Sequence, residues 1–366
     1  MTPTARRTPA PRTPPRGARP GRTGRARAGG PRVPAPPASV RPLLVAAAVS
    51  AAPAAVLLLL AVAPELQARH EWLAMAASFA PYGWVAWLVA LVLVLAGARG
   101  RTRLAAAPLA LGLAWHTAML VPYLPAPAPA TAAASPSASM SVLELNLHYG
   151  RADLRALATQ VREARPDVVV LAEVTTANEE VFGQKAWARM FPYRAGSAGQ
   201  PYDPATGIGD SRGTLVLSRY PLSATEHAAA TRFTNLAVVV ELPDHPFTLV
   251  AAHPVNPEYG ADAWVNDAEA LTRLALKHDA GPLVVAGDLN ATAEHLTLRQ
   301  LSARAGLTDA GAGHGWQPTF PADAWYPPLI QIDHVLVSRE FRTLDHHTIR
   351  VPGTDHLGLV VRLSLG

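Results

Sequence analysis

Apolar and polar positions divide this chain into two stretches with different periodicities. In the first, apolar residues run on without alternation. Residues 43–63 are 21 in a row without a charge, the length a helix needs to cross the hydrocarbon core of a bilayer. A cleavable signal sequence has an apolar stretch of only about 7 to 15 residues, so this run predicts a retained anchor despite its Ala61-Val62-Ala63 end. Residues 72–98 form a second uncharged run, with the span best placed at 82–98 and Tyr82, Trp84 and Trp87 near one interface. Residues 104–124 form a third. Buried soluble helices are the alternative, but three such runs joined by short connectors favour membrane spans. His116, inside the third run, reads as a histidine facing the bundle near an interface rather than a proton pathway.

From residue 141 the period shortens. Val142, Leu143, Leu145 and Leu147 flank Glu144 and Asn146, a strand that ends in polar chemistry. Asp153 opens a helical stretch, 153–164, with Leu154, Leu157 and Val161 on one face, and Pro166 stops it. Residues 167–171 read as a buried strand with Glu173 at its exit. Further strands are predicted at 214–218, 236–242 and 247–252, an amphipathic helix at 261–278, and a central strand at 282–286. The Gly-, Pro- and Asp-rich segment 196–212 has no periodicity, and long structureless loops in compact domains are often functional. Strand–turn–strand runs with few helices predict an α/β domain of packed layers rather than a regular βαβ repeat.

Charge sharpens this division. The 366-residue chain carries a net +5, but that figure averages unlike parts. Residues 1–41 hold ten arginines and no acid, whereas residues 139–366 hold 18 Lys plus Arg against 25 Asp plus Glu. The basic segment is rich in Pro and Gly and lacks apolar periodicity, which predicts a disordered tail. Arginine bias then sets the orientation. The tail and the connector with Arg99, Arg101 and Arg103 are basic, while the loop with Glu65, Arg69, His70 and Glu71 is not. Positive charge stays on the cytoplasmic side, so three spans (the membrane region 42–124) would deliver the remainder of the chain outside the cell. The Ala/Pro/Ser segment 125–139 predicts a semi-rigid linker holding a domain at 140–366 close to the outer leaflet. The chain has no cysteine, which is compatible with export without oxidative folding.

Candidate chemistry is confined to the acidic part. Asn146 ends the first strand, Glu173 follows the second, and His253 follows another. Then come Gly287-Asp288-Leu289-Asn290, Asp333-His334, and Thr354-Asp355-His356. Singly these are weak signals, since an Asp after an apolar run is usually a cap or turn residue and a buried His is more often structural than catalytic. Together they provide hard oxygen donors and imidazoles at strand ends. Hydrolysis of an anionic phosphoester needs such a set, to hold a cation against the phosphate oxygens and to deliver water in line. With no thiolate available, the oxygen-rich set suits Mg²⁺ or Mn²⁺.

In its order, this series resembles the endonuclease/exonuclease/phosphatase superfamily of DNase I-like nucleases, inositol-phosphate phosphatases and neutral sphingomyelinases, over residues 140–366. The resemblance implies a four-layer α/β/β/α sandwich, here preceded by three transmembrane helices. It implies that Asn146, Glu173 and Asp355 attend the metal and that Asp288 orients or deprotonates the attacking water. Asn290 would hold the phosphoryl group, and His356 would donate to a phosphoryl oxygen with its tautomer fixed by Asp333. His253 would supply a second imidazole. Ala172 stands where many members have Gln, which leaves any amide there in doubt. Gly287 fits a close backbone approach or a simple turn. Strand alternation turns His334 away from the site, and Arg212 fits either a phosphate contact or a solvated surface. His314, His346, His347, Trp316 and Trp325 read as loop or rim residues.

The layout of three spans followed by this domain resembles an actinobacterial, VanJ-like group associated with teicoplanin resistance. The leading expectation is a multi-pass cell-membrane phosphohydrolase with an extracellular catalytic domain, acting on a lipid-linked or envelope phosphoester. Its acid excess argues against a nucleic-acid partner. An exported nuclease, a sphingomyelinase-like phosphodiesterase and an inactive binding module are the alternatives.

Overall fold

The computed structural model describes residues 41–125, 138–199 and 212–365. The expected basic tail, nearly all of the linker and most of the 196–212 loop lie outside these residues.

Three helical segments, Arg41–Val62, Ala80–Gly97 and Gly100–Tyr123, are long and apolar enough to cross a membrane. Prolines mark the breaks in the second and third, whereas the first carries Pro53 within it. The first is one helix, α1 (Arg41–Val62). The apolar run 72–98 splits into a short helix α2 (Glu71–Ala77) and a long one, α3 (Gly83–Gly97), with Pro81 in the turn between them. In the third, α-helix is confined to α4 (Ala106–Ala118), flanked by 3₁₀ turns at Gly100–Ala105 and Val121–Tyr123. Pro108 fits only in a first turn, and Pro122 lies in the closing 3₁₀ turn. Ala47 of α1 packs against Ala90, Val94 and Ala98, small residues that let helices approach closely. His116 is fully buried and accepts a hydrogen bond from Trp87 Nε1 at 2.9 Å. A Cβ on Gly83 would come within 2.2 Å of its ring. The histidine faces the bundle, as expected.

Among the described residues, the second part contains two six-stranded sheets. The strands and helices, in order, are β1 (Ala138–Asn146), α5 (Leu154–Ala164), β2 (Val168–Val174), α6 (Thr176–Gly183), α7 (Lys185–Met190), β3 (Tyr193–Ser197), β4 (Gly213–Ser218), β5 (Leu222–His227), β6 (Leu236–Val240), β7 (Phe247–Ala252), α8 (Ala261–Leu276), β8 (Leu283–Asp288), α9 (Leu296–Ala305), β9 (Thr308–Asp309), β10 (Asp333–Val337), β11 (Phe341–Arg350) and β12 (Leu357–Leu365). One sheet has the order β11-β12-β1-β2-β4-β3, the other β5-β6-β7-β8-β10-β9. Asp153 caps α5 by accepting from the Arg155 and Ala156 amides, as its type predicts.

Strand alternation sorts side chains into three cores. Met140, Val142, Val170 and Val216 of one sheet meet Val238, Leu249, Ala286 and Val335 of the other. Leu143, Leu145 and Leu147 point the opposite way, onto Leu157, Val161, Phe182 and Trp187 of α5 to α7. Val250, Val285 and Leu336 face Leu271, Leu274 and Leu301 of α8 and α9. In β1 the positions facing between the sheets continue as Glu144 and Asn146, so polar groups enter the space between the sheets at one end. That end is a shared rim. The parallel pairs β1/β2 and β7/β8 finish there, at Asn146 opposite Ala172 and Gly287 opposite Ala252. β10 starts there, with Asp333 opposite Asp288.

Candidate active site

Backbone geometry aims the acids at this rim. Glu173 was expected just beyond its strand. Instead it sits within β2, at a register break between Ala172 and Val174, with φ 55°. A bulge of this kind re-aims one side chain, and the left-handed conformation is costly for a non-glycine residue. The turn after β1 is also left-handed, at His148 (φ 48°), Tyr149 (φ 53°) and Gly150 (φ 71°). It presents the Tyr149 amide to Glu173 Oε2 at 2.5 Å and the His148 amide to Asn146 Oδ1 at 2.9 Å. Gly287 lies inside β8 rather than in a turn, and a Cβ there would come within 1.9 Å of the Ala252 carbonyl oxygen. Close approach, not turning, is its reason.

Asn146 links two acids: its Nδ2 donates to Asp288 Oδ2 at 2.9 Å and to Glu173 Oε1 at 3.3 Å. Asp288 Oδ1 accepts from the Asn290 amide at 2.9 Å, and the Asn290 side chain donates to the Pro254 carbonyl at 2.9 Å. His356 Nδ1 lies 3.0 and 2.9 Å from the two oxygens of Asp333. Its Nε2 is 3.8 Å from Asp288 Oδ2 and 3.8 Å from Asp355 Oδ1. His253 Nε2 is 3.8 Å from Asp288 Oδ2 and 3.9 Å from Glu173 Oε1. Glu173, His253, Asp288, Asn290, Asp355 and His356 all line one cleft of about 650 Å³. Asn146 and Asp333 stand immediately behind it, bonded to that lining.

Charge in the cleft follows from burial. Burial raises the Asp288 carboxyl; His356 opposes the rise and Asp333 adds to it. Burial likewise raises Glu173 despite its two hydrogen-bond donors. His253 is pushed down by burial. For His356 burial alone would lower the imidazole, but the Asp333 and Asp288 carboxylates outweigh it and hold it at about 10. The imidazole is therefore a cation at neutral pH, with Nδ1 committed to Asp333 and Nε2 free to face the cleft.

Acidic groups thus crowd the cleft, and a hard divalent cation fits such a donor set. Among the described residues, Asp288, Asp333 and His356 bring candidate ligand atoms within 4.8 Å of one another. This group differs from the expected set of Asn146, Glu173 and Asp355. Within it, His356 Nδ1 and both Asp333 oxygens are joined by a direct hydrogen bond.

Several supports escaped the sequence reading. Glu144 is fully buried against Asp333, and burial, then the Asp333 and Asp288 charges, raises it well above the usual carboxyl range, which lets the protonated carboxyl donate to Asp333. Thr354 Oγ1 donates to the Asn146 carbonyl at 2.7 Å and accepts from the His356 amide at 3.1 Å, which ties the Asp355-His356 turn to β1. Asn235 Oδ1 accepts from the His253 amide at 2.6 Å. His334 faces away as alternation predicts, yet it is a strut. Its Nδ1 pairs with Asp309 at 2.6 Å and its Nε2 with the Ala291 carbonyl at 2.9 Å, which fixes the turn that carries Asp288 and Asn290. Arg212 reaches the cleft lining and stacks on Phe233. His148 Nδ1 lies 3.3 Å from Asp355 Oδ1. Trp316 packs edge-on against Tyr123, and Trp325 is 95% exposed.

Two facing sheets with acids and imidazoles meeting at one rim define a hydrolase of the phosphoester-cleaving class. A sequence model of the Endonuclease/Exonuclease/phosphatase family matches residues 143–356, and the chain belongs to that family. Its members are hydrolases acting on phosphoesters, nucleic acids and phosphates, and are generally dependent on divalent metals. Similar solved structures include an endonuclease/exonuclease/phosphatase from Beutenbergia cavernae, 23% identical, covering 62% of this chain and 72% of that one with a TM-score of 0.48. Others are D. rerio TDP2 complexed with single-strand DNA product (14% identity, 62% and 100% coverage, TM-score 0.48) and a Bacteroides thetaiotaomicron mannosyl-6-phosphatase (14%, 62% and 100%, 0.45). A comparison with curated protein sequences finds no match.

Proposed function

We propose that the chain is a membrane-anchored, outward-facing, metal-dependent phosphohydrolase acting on a lipid-linked or envelope phosphoester, of the VanJ-like kind. The observation that carries the chemistry is the protonated His356–Asp333 pair facing Asp288 across 3.8 Å. Asn146 bonds the same Asp288 oxygen to Glu173 on the metal side. Held by Glu173, Asp355 and Asn146, Mg²⁺ or Mn²⁺ would neutralise the non-bridging phosphate oxygens.

The chain's own groups supply the rest. Asp288, fixed through both oxygens, orients the attacking water and takes its proton. His356 Nε2 donates to a phosphoryl oxygen, with Asp333 holding the tautomer. Asn290 holds the phosphoryl group and His253 faces the leaving oxygen. In this reading residues 1–41 are a cytoplasmic tail, 42–124 the membrane region, 125–139 a linker and 140–366 an α/β/β/α sandwich, an arrangement that the three cores support. The membrane segments agree with export. The α1–α3 connector and the end of α4 touch the catalytic region, as in Gln67 to Glu294 and Gly313 to Pro122. Arg41 and Arg99 to Arg103 lie at the opposite helix ends.

A nuclease is the second reading. It is favoured by Arg–aromatic pairs, Arg212 on Phe233, Arg232 on Tyr259 and Arg151 on Tyr149, which could stack bases. The test is hydrolysis by the full chain of a panel of polyprenyl phosphates and diphosphates, phospholipids, plasmid and RNA. Expected is chelator-sensitive cleavage of a lipid phosphoester that falls about 10² or more in Asp288→Asn and His356→Ala. Full activity in both variants would refute the mechanism, and rapid cleavage of nucleic acid alone would select the nuclease.

A further inference from the structure

The connector between α1 and α3 is much longer than two antiparallel helices need, since such links usually take about 2 to 8 residues. It runs from Ala63 to Tyr82 through a 3₁₀ turn, α2 and a second 3₁₀ turn, and it is fastened to the catalytic domain rather than free. Gln67 is fully buried. Its Nε2 donates to the Leu60 and Glu294 carbonyls, each at 3.0 Å, and its Oε1 accepts from the Leu296 amide at 2.9 Å. Arg299 donates to the Ala61 carbonyl at 2.7 Å, the His295 ring meets the Ala74 carbonyl at 2.7 Å, and Tyr82 donates to the Leu329 carbonyl at 2.6 Å.

So fastened, the connector becomes part of the active-site wall. Met75, Ser78 and Phe79 line the same cleft as Glu173, Asp288 and His356. Phe320, Ile330 and Ile332, from the loop that Tyr82 holds at Leu329, add to the apolar part of the lining beside them. The cleft therefore combines a charged part with an apolar part. Phe79 remains 42% exposed within it, an apolar surface without a protein partner to cover it fully. Both apolar walls are rooted where helices enter or leave the apolar layer. The connector joins the end of α1 to the start of α3, and Trp316 packs on Tyr82 and Tyr123 at the ends of two spans.

We propose that the α1–α3 connector is the substrate-specificity wall: the cleft takes a phosphoester amphiphile from the adjoining leaflet, its phosphate among the catalytic groups and its aliphatic chain along Met75 and Phe79. This rests on the phosphohydrolase reading and names the part of the molecule that recognises the lipid. A head-group-only substrate, or a nucleotide, would leave the apolar wall without use. Burying each methylene of a chain there adds about fourfold to binding.

Two measurements on the full chain in nanodiscs separate this inference from the reading beneath it. The first needs no turnover. A non-hydrolysable long-chain alkyl phosphonate with a photoactivatable group in its chain is expected to crosslink to residues 71–79, and excess short-chain phosphonate, which shares only the head group, should suppress the label. Labelling confined to the outer faces of α1, α3 and α4 would overturn the proposal even if the enzyme is active. The second compares kcat/KM for a polyprenyl phosphate and for p-nitrophenyl phosphate. In Met75→Asn and Phe79→Ser the long-chain to short-chain ratio should fall at least about tenfold, mainly through KM, and Phe79→Leu should restore most of it. An unchanged ratio overturns the proposal. Absence of hydrolysis of either substrate by the parent protein, with the crosslink retained, would instead count against the phosphohydrolase reading alone.

Discussion

Asp333→Asn tests the electrostatic core of the site. The substitution keeps the shape and one oxygen acceptor for His356 Nδ1, now 3.0 and 2.9 Å from the two carboxylate oxygens, while it removes the charge and replaces the second acceptor with an NH₂ group. Burial is the largest influence on His356 and lowers it. The Asp333 carboxylate, then Asp288, reverse that and hold the imidazole at about 10 against an ordinary 6.5. Without Asp333, the largest of the influences that raise it, the His356 pKa should fall from about 10 towards the ordinary value, with Asp288 and Asp355 left to oppose burial. The whole shift is worth on the order of 5 kcal/mol of preference for the protonated ring, shared among the three carboxylates. At pH 8 the ring would then be protonated less of the time and would stabilise phosphoryl charge less, costing up to about 10² to 10³ in kcat/KM.

The assay is NMR titration of ¹³C-histidine-labelled full chain freed of metal, with His356→Gln to assign the resonance. A His356 signal that still titrates near 10 in Asp333→Asn would refute the argument. The same pair predicts the stability profile. Folding raises the His356 pKa, so its stabilisation is complete below about pH 6.5 and is lost as pH rises through about 10. The Tm of the metal-free parent should therefore fall across that window, and Asp333→Asn should be flatter there.

Gly287→Ala should lower Tm by several degrees and reduce activity, because its Cβ would meet the Ala252 carbonyl at 1.9 Å and push β8, with Asp288, away from β7; an unchanged Tm and rate would show that the strands can part freely. His334→Leu leaves Asp309 without its partner, at a cost of about 3 kcal/mol or more, while the double change with Asp309→Leu should cost less; a double variant less stable than the single in denaturant unfolding would contradict the strut. Alkaline phosphatase fused after Gly366 should be active and a cytoplasm-dependent fluorescent protein dark, as the arginine bias requires; the reverse pattern would remove envelope substrates.

Local rules made much of this protein legible from its residues. Uncharged length gave three candidate spans, since the bilayer fixes how many apolar residues a helix needs. Alternation and capping gave α5 and β7 nearly residue for residue, and the end of β1 though not its start at Ala138, because they depend on neighbours in the chain. The ordered acids, amides and imidazoles gave the family and the residues that meet at the rim. What escaped depends on contacts between residues far apart in sequence. No local signal marks Glu144 as a buried acid behind Asp333, Thr354 as the tie to β1, or Asn235 as the support of His253. The left-handed Glu173 is imposed by the register break against β4, not by glutamate's own preference. Nor could hydropathy show that residues 63–82, a mere link between spans by pattern, fold onto the domain and wall its cleft. That depends on Gln67 meeting Glu294 and Leu296, more than 220 positions away, and only tertiary packing brings such groups within hydrogen-bond reach.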